Sequence, residues 1–230
     1  MVKSKSFWKN KKVLITGHTG FKGAWLSIWL KYYGAEIIGI SIDPPSKLNL
    51  FNSTNIKKNI QHYHQDILDE EGLLKIFKKH KPQVVFHMAA QSLVRLSYKK
   101  PKLTYETNII GTLNVLECIK LTKSVKSAVI VTSDKCYENN KKEKLQENDS
   151  LGGDDIYSSS KGACEILIHS FRKSFFNNSS YPQIASVRAG NVVGGGDWAL
   201  NRIIPDTVRA LKNRKDLIIR SPKAVRPWQH

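Results

Sequence analysis

The sequence predicts an α/β fold in which a doubly wound parallel sheet is covered by helices on both faces. Short apolar runs alternate with longer helical patterns along most of the chain. The apolar runs contain few polar residues, which is typical of strands that are buried on both faces. With 230 residues, of which 40% are hydrophobic, the chain is long enough for one packed domain and part of another.

Each element follows from its own pattern. Five apolar runs predict strands over residues 13–16, 37–42, 84–88, 128–132 and 185–188. Helical spacing of apolar residues predicts helices over 23–33, 70–80, 108–121 and 157–175. Two polar stretches, 139–155 and 176–182, predict loops.

The pattern changes after residue 190. A glycine run at 194–196 precedes a predicted helix over 203–211 and a predicted short strand over 217–219. We therefore expect residues 1–190 to form one domain and residues 191–230 to begin a smaller substrate-binding domain that is cut off at His230. As it stands, the chain should bind its cofactor but turn over its substrate poorly or not at all.

The chain is strongly basic, with 37 Lys and Arg against 19 Asp and Glu and a net charge of +18. This balance fits either nucleic-acid or membrane binding, or a lysine-rich protein with an anionic small substrate. The basic residues are spread along the chain and form no dense arm or aromatic-interleaved motif. The second interpretation is favoured, so we expect neither a nucleic-acid nor a membrane partner.

The sequence also bears on membrane insertion and on the redox environment of the protein. The longest apolar region, 24–42, is interrupted by Lys31 and Glu36, which argues against a membrane span. The three cysteines show no C-x-x-C spacing, so neither a disulfide framework nor a metal site is expected. A reducing, cytoplasmic location fits best.

The first strand is followed by GHTGFKG at 17–23, a G-x-x-G-x-x-G loop that opens a helix. Glycines at these positions permit a tight turn and a close approach of the backbone to a pyrophosphate at the helix N-terminus. The sequence lacks the G-K-[ST] ending of a kinase or ATPase loop. The position of the loop predicts a Rossmann-type sheet, with contacts to a dinucleotide from Gly17, Thr19, Gly20, Phe21, Lys22 and Gly23; the alternative is a mere tight turn.

An acidic residue follows the second strand. Asp43 lies twenty residues beyond Gly23, where a carboxylate accepts hydrogen bonds from the adenosine ribose and repels a 2′-phosphate. The alternative is an ordinary turn residue before two prolines. We predict NAD as the cofactor, with Asp66 and Ile67 beside its adenine.

A tyrosine and a lysine share one face of the fourth predicted helix. Tyr157 and Lys161 have the Y-x-x-x-K spacing, which places both side chains one turn apart. A nearby ammonium and a positive nicotinamide should lower the pKa of the phenol and make it a usable base. Thr132, at a strand end, is positioned to hydrogen-bond the same substrate hydroxyl. Alone, Y-x-x-x-K fits a solvated helix face equally well.

Together these motifs resemble the nucleotide-sugar 4,6-dehydratases of the extended short-chain dehydrogenase/reductase superfamily. The resemblance spans all 230 residues and is carried by GHTGFKG, HMAAQ at 87–91, Thr107-Asn108, TSDK at 132–135 and YSSSK at 157–161. DPP at 43–45, DKCYEN at 134–139, RAGNVVGGGDW at 188–198 and VRPWQH at 225–230 are similar to the branch that acts on CDP-glucose. Members of that family continue past the position of His230.

The resemblance implies a closed redox cycle on one bound sugar. A hydride leaves C4 for tightly bound NAD, water leaves across C5–C6, and the hydride returns to C6. Tyr157, helped by Thr132 and Lys161, takes the hydroxyl proton. Asp134 is implied as the acid for the departing C6 hydroxyl and Lys135 as its partner at C5; a surface turn is the alternative for this pair.

The resemblance also implies where ligands and subunits bind. Ala89, Ala90, Gln91 and Asn108 are expected on the cofactor side, and the substrate, CDP-glucose or a related nucleotide sugar, is expected to contact Gln91, Arg95, Asn191, Arg202, Arg220 and Arg226. For the arginines, unpaired surface residues are the alternative. The helices over 108–121 and 157–175 are expected to pack in a homo-oligomer, a dimer or tetramer. Deoxysugar synthesis for lipopolysaccharide O-antigen is the implied setting.

Three other functions stay open on the sequence alone. Another nucleotide-sugar dehydratase or a 4-epimerase would share Tyr157 and Lys161, although an epimerase does not need Asp134 and Lys135. An inactive dinucleotide-binding fragment would show no turnover. A basic nucleic-acid binder would show salt-dependent duplex binding.

Overall fold

The computed structural model describes residues 6–138, 144–178 and 182–230. At its centre lies a six-stranded sheet in which every pairing is parallel and the order is β3-β2-β1-β4-β5-β6. Its strands are β1 Lys12–Thr16, β2 Glu36–Ser41, β3 Gln61–His64, β4 Val84–His87, β5 Ser127–Val131 and β6 Gln183–Val187. This order is that of the Rossmann fold, with its topological switch point between β1 and β4. The predicted fold class is confirmed.

Helices connect the strands and continue beyond them. They are α1 Phe21–Tyr32, α2 Leu50–Ser53, α3 Glu70–His80, α4 Val94–Lys99, α5 Pro101–Tyr105, α6 Gly111–Lys120, α7 Ile156–Phe175 and α8 Ile203–Lys212. A π-helical turn, Glu106–Ile110, joins α5 to α6. The helices predicted over 23–33, 70–80, 108–121, 157–175 and 203–211 are all confirmed, with small shifts at their ends.

The helix ends follow local chemistry. Asp69 precedes α3 and its carboxylate accepts a hydrogen bond from the backbone nitrogen of Gly72 at 3.0 Å. Lys81 ends the same helix in the left-handed region, with φ of 51°. Asp155 caps α7 in the same manner, accepting from the nitrogen of Ser158 at 2.9 Å. The cap on α7 fixes the start of the helix that carries the tyrosine and the lysine.

Both faces of the sheet are covered. Leu14 of β1 packs in one apolar cluster together with residues of α3, α6 and α7. Its neighbours Val13 and Ile15 pack in another cluster with Leu30 of α1. Because successive side chains of a strand point to opposite faces, this division shows helices on both sides of the sheet.

The strand predicted over 217–219 is wrong. Ile218 is 81% exposed, and no described strand lies beside this segment to complete a ladder. The second sheet is formed instead by β7 Asn191–Val192 and β8 Trp228–Gln229, which pair in parallel. A short apolar run without a partner strand therefore forms no strand.

Two further points concern the loops and the helix lengths. Of the predicted loops, residues 139–143 and 179–181 lie outside the described residues. In the described part of the first loop, Leu151 forms an antiparallel bridge with Tyr137, which precedes the loop. Within the described ranges, no helix combines the length and the apolar character needed to cross a membrane.

Candidate active site

The glycine loop lies at the carboxyl edge of β1 and requires its glycines. Gly17 has φ of +76°, and a Cβ atom there would lie 2.7 Å from the backbone nitrogen of Ala89. Gly20 precedes the first residue of α1, and a Cβ atom on Gly23 would overlap the carbonyl of Gly17. The loop therefore brings bare backbone to the switch point, where α/β sheets bind their ligands.

His18, the second residue of the loop, points into the protein. Its Nε2 shares a hydrogen bond of 2.7 Å with Nδ1 of His62, and the side chain is fully buried. Its ring fills the space beside Gly39, where an added Cβ would lie 2.5 Å from ring carbon Cδ2. Burial lowers the pKa of His18 to about 4, so the ring is neutral at pH 7.

A cavity of about 240 Å³ opens at the end of β2. It is lined by Thr19, Ile42, Asp43, Pro44, Phe51, Asn52, Lys57, His62 and His64. The exposed carboxylate of Asp43 lies 3.3 Å from Nε2 of His64, and Oγ1 of Thr19 lies 2.7 Å from Oγ of Ser41. The predicted ribose carboxylate thus faces a cavity beside the loop.

Asp66 and Ile67 follow β3 and are placed differently from each other. The carboxylate of Asp66 accepts a hydrogen bond from the nitrogen of Leu68 at 3.0 Å and is exposed. The side chain of Ile67 is buried against Gly111 in the core. Any contact of Ile67 with a ligand would therefore have to come from its backbone.

Asn108 and Gln91 form a buried hydrogen-bond network next to Ala89 and Ala90. The amide of Asn108 accepts from the nitrogen of Gln91 at 2.8 Å and donates to Oγ of Ser160 at 2.9 Å. The side chain of Gln91 donates to Oγ1 of Thr104 at 3.0 Å. These bonds join α5, the π-helical turn and α7 to the segment that carries Ala89 and Ala90. Both amide side chains have hydrogen-bond partners within the protein, so their role is to hold the segment of Ala89 and Ala90 in place.

A second buried series of hydrogen bonds, from Thr16 through His87 to Thr112, was not predicted from the sequence. Oγ1 of Thr16 accepts from the nitrogens of Met88 and Ala89 and lies 2.7 Å from Nδ1 of His87. Nε2 of His87 lies 3.0 Å from Oγ1 of Thr112. Because both lone pairs of Thr16 are used, its proton goes to His87, and His87 donates to Thr112. Burial lowers the pKa of His87 to about 3, which keeps this ring neutral.

The tyrosine and lysine of α7 are both buried. Nζ of Lys161 lies 3.5 Å from the carbonyl oxygen of Val131, the last residue of β5. Burial lowers the pKa of this ammonium. Burial also raises the pKa of Tyr157, although a hydrogen bond with Ser133 and the charge of Arg202 act in the opposite direction. For the protein groups alone, the expected lowering of the tyrosine pKa is therefore wrong.

Thr132 follows β5, and its hydroxyl is directed to Glu165 and to the carbonyl oxygen of Val187, whereas the hydroxyl that hydrogen-bonds Tyr157 is that of the next residue, Ser133. The predicted pairing of Thr132 with Tyr157 is therefore wrong, because successive residues at the strand end point in different directions.

The hydroxyl of Thr132 donates to the carboxylate of Glu165, one turn beyond Lys161 on α7. Glu165 also accepts from Oγ of Ser186 and from the guanidinium of Arg188, each at 2.9 Å. The sequence analysis missed Glu165, although its position four residues after Lys161 places it on the same helix face.

Asp134 and Lys135 begin a short 3-10 turn directly after Thr132 and Ser133. Oγ of Ser133 donates to Asp134 Oδ1 at 3.0 Å and lies 3.3 Å from the nitrogen of Lys135. The nitrogen of Asp134 donates to the carbonyl of Ala189 at 3.0 Å. Burial lowers the pKa of Lys135, and the charge of Arg226 lowers it further.

Arg202 lies close enough to Tyr157 and Lys22 for its charge to favour a lower pKa in both side chains. Its guanidinium contacts Asp197 at 3.1 Å and Oγ of Ser92 at 3.3 Å. Burial lowers the pKa of Lys22, and the charges of Arg202 and Lys161 contribute to this shift. The structure therefore brings the glycine loop, the Tyr-Lys helix and Arg202 together at the carboxyl edge of the sheet.

Arg95, Asn191, Arg220 and Arg226, which are also predicted to bind substrate, belong to other segments. Arg95 and Arg220 both donate to Oδ1 of Asn201, at 3.0 and 3.4 Å. Arg226 is exposed beside β8, and Asn191 belongs to β7. Arg95 and Arg220 thus form a cationic pair beside Asn201.

The residues at this edge fit a dinucleotide. A side chain at Gly17 would collide with the backbone, and Lys161 is a buried ammonium whose acceptor among the described residues, the carbonyl oxygen of Val131, lies at 3.5 Å. Asp43 faces the cavity at the end of β2. The bare backbone of the loop suits a pyrophosphate, and the carboxylate of Asp43 suits a ribose hydroxyl, so these residues are of the kinds that a dinucleotide needs.

Comparison with known proteins agrees with this arrangement. The chain is 48% identical over 231 residues to CDP-glucose 4,6-dehydratase of Salmonella typhimurium, covering 98% of this chain and 64% of that protein. An epimerase from Methanothermobacter thermautotrophicus superposes with a TM-score of 0.86 at 28% identity, covering 98% of this chain and 66% of that one. For a dTDP-glucose 4,6-dehydratase from Bacillus anthracis, solved with NAD, the TM-score is 0.79 at 26% identity, with 96% and 67% covered.

Fold and site together define a Rossmann-type protein of the short-chain dehydrogenase/reductase class. Residues 14–230 match the family model described as GDP-mannose 4,6 dehydratase, and the chain belongs to that family. It spans 64% of the length of its Salmonella relative.

Proposed function

We propose that this chain carries the NAD site and the reaction centre of a nucleotide-sugar 4,6-dehydratase that acts on CDP-glucose. The observation that supports this most is the placement of Asp134 and Lys135 directly after Ser133, whose hydroxyl hydrogen-bonds Tyr157, at the edge that also holds Lys161. The 48% identity to a CDP-glucose 4,6-dehydratase favours CDP-glucose over other nucleotide sugars. The NAD-bound dehydratase from Bacillus anthracis supports the choice of cofactor.

Bound NAD would supply a hydride acceptor for C4 and a hydride donor for C6. Tyr157 takes the proton of the C4 hydroxyl, and the Lys161 ammonium stabilises the phenolate, which burial otherwise disfavours. The resulting 4-ketone acidifies the C5 proton. Lys135 acts at C5, either as a neutral base or as an ammonium that stabilises the enolate, and Asp134 protonates the departing C6 hydroxyl.

We assign the cofactor contacts to Gly17, Thr19, Gly20, Phe21, Lys22 and Gly23 of the loop, with Asp43 on the adenosine ribose and Asp66 and the backbone of Ile67 near the adenine. Arg202 is assigned to the nucleotide diphosphate, with Arg95 and Arg220, which share Asn201, and with Arg226 and Asn191. Under this proposal residues 1–190 form the cofactor domain and residues 191–230 belong to the substrate domain.

Product analysis tests the function. The protein, extended to the full length of its relatives, is incubated with NAD and with CDP-glucose, dTDP-glucose or GDP-mannose, and the products are followed by mass spectrometry. We expect loss of one water from CDP-glucose in preference to the other sugars. A product of unchanged mass with inverted C4 would indicate a 4-epimerase, and cofactor binding without any turnover would indicate a binding fragment.

We further propose a homo-oligomer, a dimer or tetramer. Apolar side chains remain exposed on the two helical stretches expected to pack between subunits, with Ile110 at 46% and Ile166 at 58% exposed. Light scattering after gel filtration tests this, and a monomer at micromolar concentration would refute it. The resemblance extends the proposal to a cytoplasmic enzyme that makes deoxysugars for lipopolysaccharide O-antigen.

A further inference from the structure

The cavity at the end of β2 is lined by more basic side chains than acidic ones. Among the described residues that line it, Asp43 carries a negative charge, whereas Lys57, His62 and His64 are bases. His64 is the last residue of β3, and Lys57 belongs to a 3-10 turn, Ile56–Asn59, that precedes this strand. Burial lowers the pKa of His62, and the charges of Lys57 and His64 lower it further. The three bases therefore lie near one another on one side of the cavity.

Two of these bases are available to a ligand. Nδ1 of His62 is engaged with the ring of His18 at 2.7 Å. His64, in contrast, contacts only the rim of the cavity, with its Nε2 at 3.3 Å from Oδ1 of Asp43, and both of these side chains are exposed. None of the ion pairs in the described part of the chain includes Lys57. Lys57 and His64 can thus turn toward a bound anion.

The contact between Asp43 and His64 decides what lies next to a bound cofactor. Under the proposed function, Asp43 accepts hydrogen bonds from the adenosine ribose, so its carboxylate lies at hydrogen-bonding distance from the ribose 2′-oxygen. A phosphate on that oxygen would lie beside the carboxylate and therefore beside His64 as well. Asp43 repels such a phosphate, and the two bases attract it.

We propose that Lys57 and His64 form a binding site for a phosphomonoester beside Asp43, and that the charge of Asp43 keeps the 2′-phosphate of NADP out of this site. The inference rests on the proposed function, in which Asp43 faces the ribose. The choice between NAD and NADP is then a balance between opposing charges on one cavity wall. Removal of the single carboxylate reverses that choice, because the two bases remain.

Calorimetric titration with NAD and NADP at pH 7 tests the proposal. In Asp43→Asn we expect NADP to bind roughly 3- to 10-fold more tightly than NAD, the range expected for a phosphate that meets two exposed cations. Adding Lys57→Met or His64→Leu should remove most of this preference. Lys58→Met is the matched control for the lysine, because Lys58 belongs to the same turn but does not line the cavity. His169→Leu, at an exposed position on α7, is the control for the histidine.

Two results would overturn the phosphate site. One is a preference for NADP in Asp43→Asn that survives both Lys57→Met and His64→Leu, and the other is NAD binding in Asp43→Asn without any reversal. If Asp43→Asn does not fold, the Asp43 protein is titrated with adenosine 2′,5′-bisphosphate and with AMP. Lys57→Met and His64→Leu should then each weaken the bisphosphate by roughly 2- to 5-fold without weakening AMP. Equal effects on the two nucleotides refute the proposal.

The failure of this inference differs from the failure of the proposed function. If NADP responds to Lys57 and His64 as described, but the protein extended to the full length of its relatives dehydrates no CDP-sugar, the proposed function fails and the phosphate site stands. If CDP-glucose is dehydrated and the preference between NAD and NADP is independent of Lys57 and His64, the phosphate site alone fails. Absence of any dinucleotide binding overturns both.

Discussion

Trp25 donates its indole Nε1–H to the carbonyl oxygen of Gly195 at 2.9 Å, which ties α1 to the glycine run after β7. The contact places residues 194–196 next to the helix at which the cofactor loop ends. An added Cβ at Gly195 nevertheless meets nothing within 4 Å. Gly195→Ala is therefore a suitable control for substitutions at glycines, such as Gly17, where a side chain does not fit.

Gly17→Ala should damage both the fold and the cofactor site. Its φ of +76° strains an L-residue, and the new Cβ would lie 2.7 Å from the nitrogen of Ala89. We expect a loss of about 2 kcal/mol or more in the free energy of unfolding, together with weaker NAD binding. Denaturant unfolding and NAD titration measure the two effects. Gly195→Ala should change the stability by less than about 1 kcal/mol, and equal losses in both variants would contradict the assignment.

Asp43 should make the protein prefer NAD to NADP. A 2′-phosphate would meet its carboxylate at close range, so we expect NAD to bind about 10-fold or more tightly than NADP. Asp43→Asn should reduce that ratio, whereas Glu36→Gln, an exposed carboxylate at the other end of β2, should not. Calorimetric titration with both dinucleotides measures the ratio. Equal affinities in the unaltered protein would show that Asp43 does not face the ribose.

Lys135→Met should stop the reaction after the first hydride transfer. In the proposed mechanism Lys135 acts at C5, and burial lowers the pKa of its ammonium, which makes the neutral base more accessible. In a protein extended to the full length of its relatives, the variant should still form NADH with CDP-glucose, but deuterium from the solvent should not enter C5 and no water should be lost. Tyr157→Phe, in contrast, should prevent NADH formation. A 6-deoxy product formed by Lys135→Met at nearly the original rate would exclude the assigned role.

Two buried histidines should make the fold sensitive to acid. Burial lowers the pKa of His18 to about 4 and that of His87 to about 3, whereas both are near 6.5 in the unfolded chain. Below pH 6.5 the unfolded state binds more protons, so their contribution is fully present above pH 6.5 and is lost as the pH falls toward 4 and 3. At pH 5 each should have lost on the order of 2 kcal/mol.

Unfolding by urea at pH 7.5 and pH 5 measures this loss. The loss between the two pH values should shrink in His87→Gln and stay unchanged in His64→Gln, because His64 is exposed. An equal loss in all three proteins would show that His87 does not contribute to the acid sensitivity.

The sequence predicted the elements that form the buried sheet because those strands are continuous apolar runs. β3 carries Gln61, His62 and His64, and so it lacked the apolar run by which the other strands were predicted. The opposite error occurred at 217–219, where apolar residues found no neighbouring strand. Strand formation depends on a partner, and local composition does not contain that information.

The contacts of the candidate site were also predicted only in part. Contacts made by local spacing were predictable, including the loop at 17–23 and the pair Tyr157 and Lys161. The bond from Thr132 to Glu165 and the chain from Thr16 through His87 join residues that are far apart in sequence. Such partners become neighbours only when the sheet order is known.

The packing of the His18 ring over Gly39 has a consequence for sequence variation. A side chain at position 39 would collide with the ring, and a smaller residue at 18 would leave a hole next to His62. Positions 18 and 39 should therefore vary together among relatives, with a larger residue at 39 only where position 18 is small. Their twenty-one-residue separation hides this covariation from any local motif, so a search profile for this loop should include the glycine of the second strand.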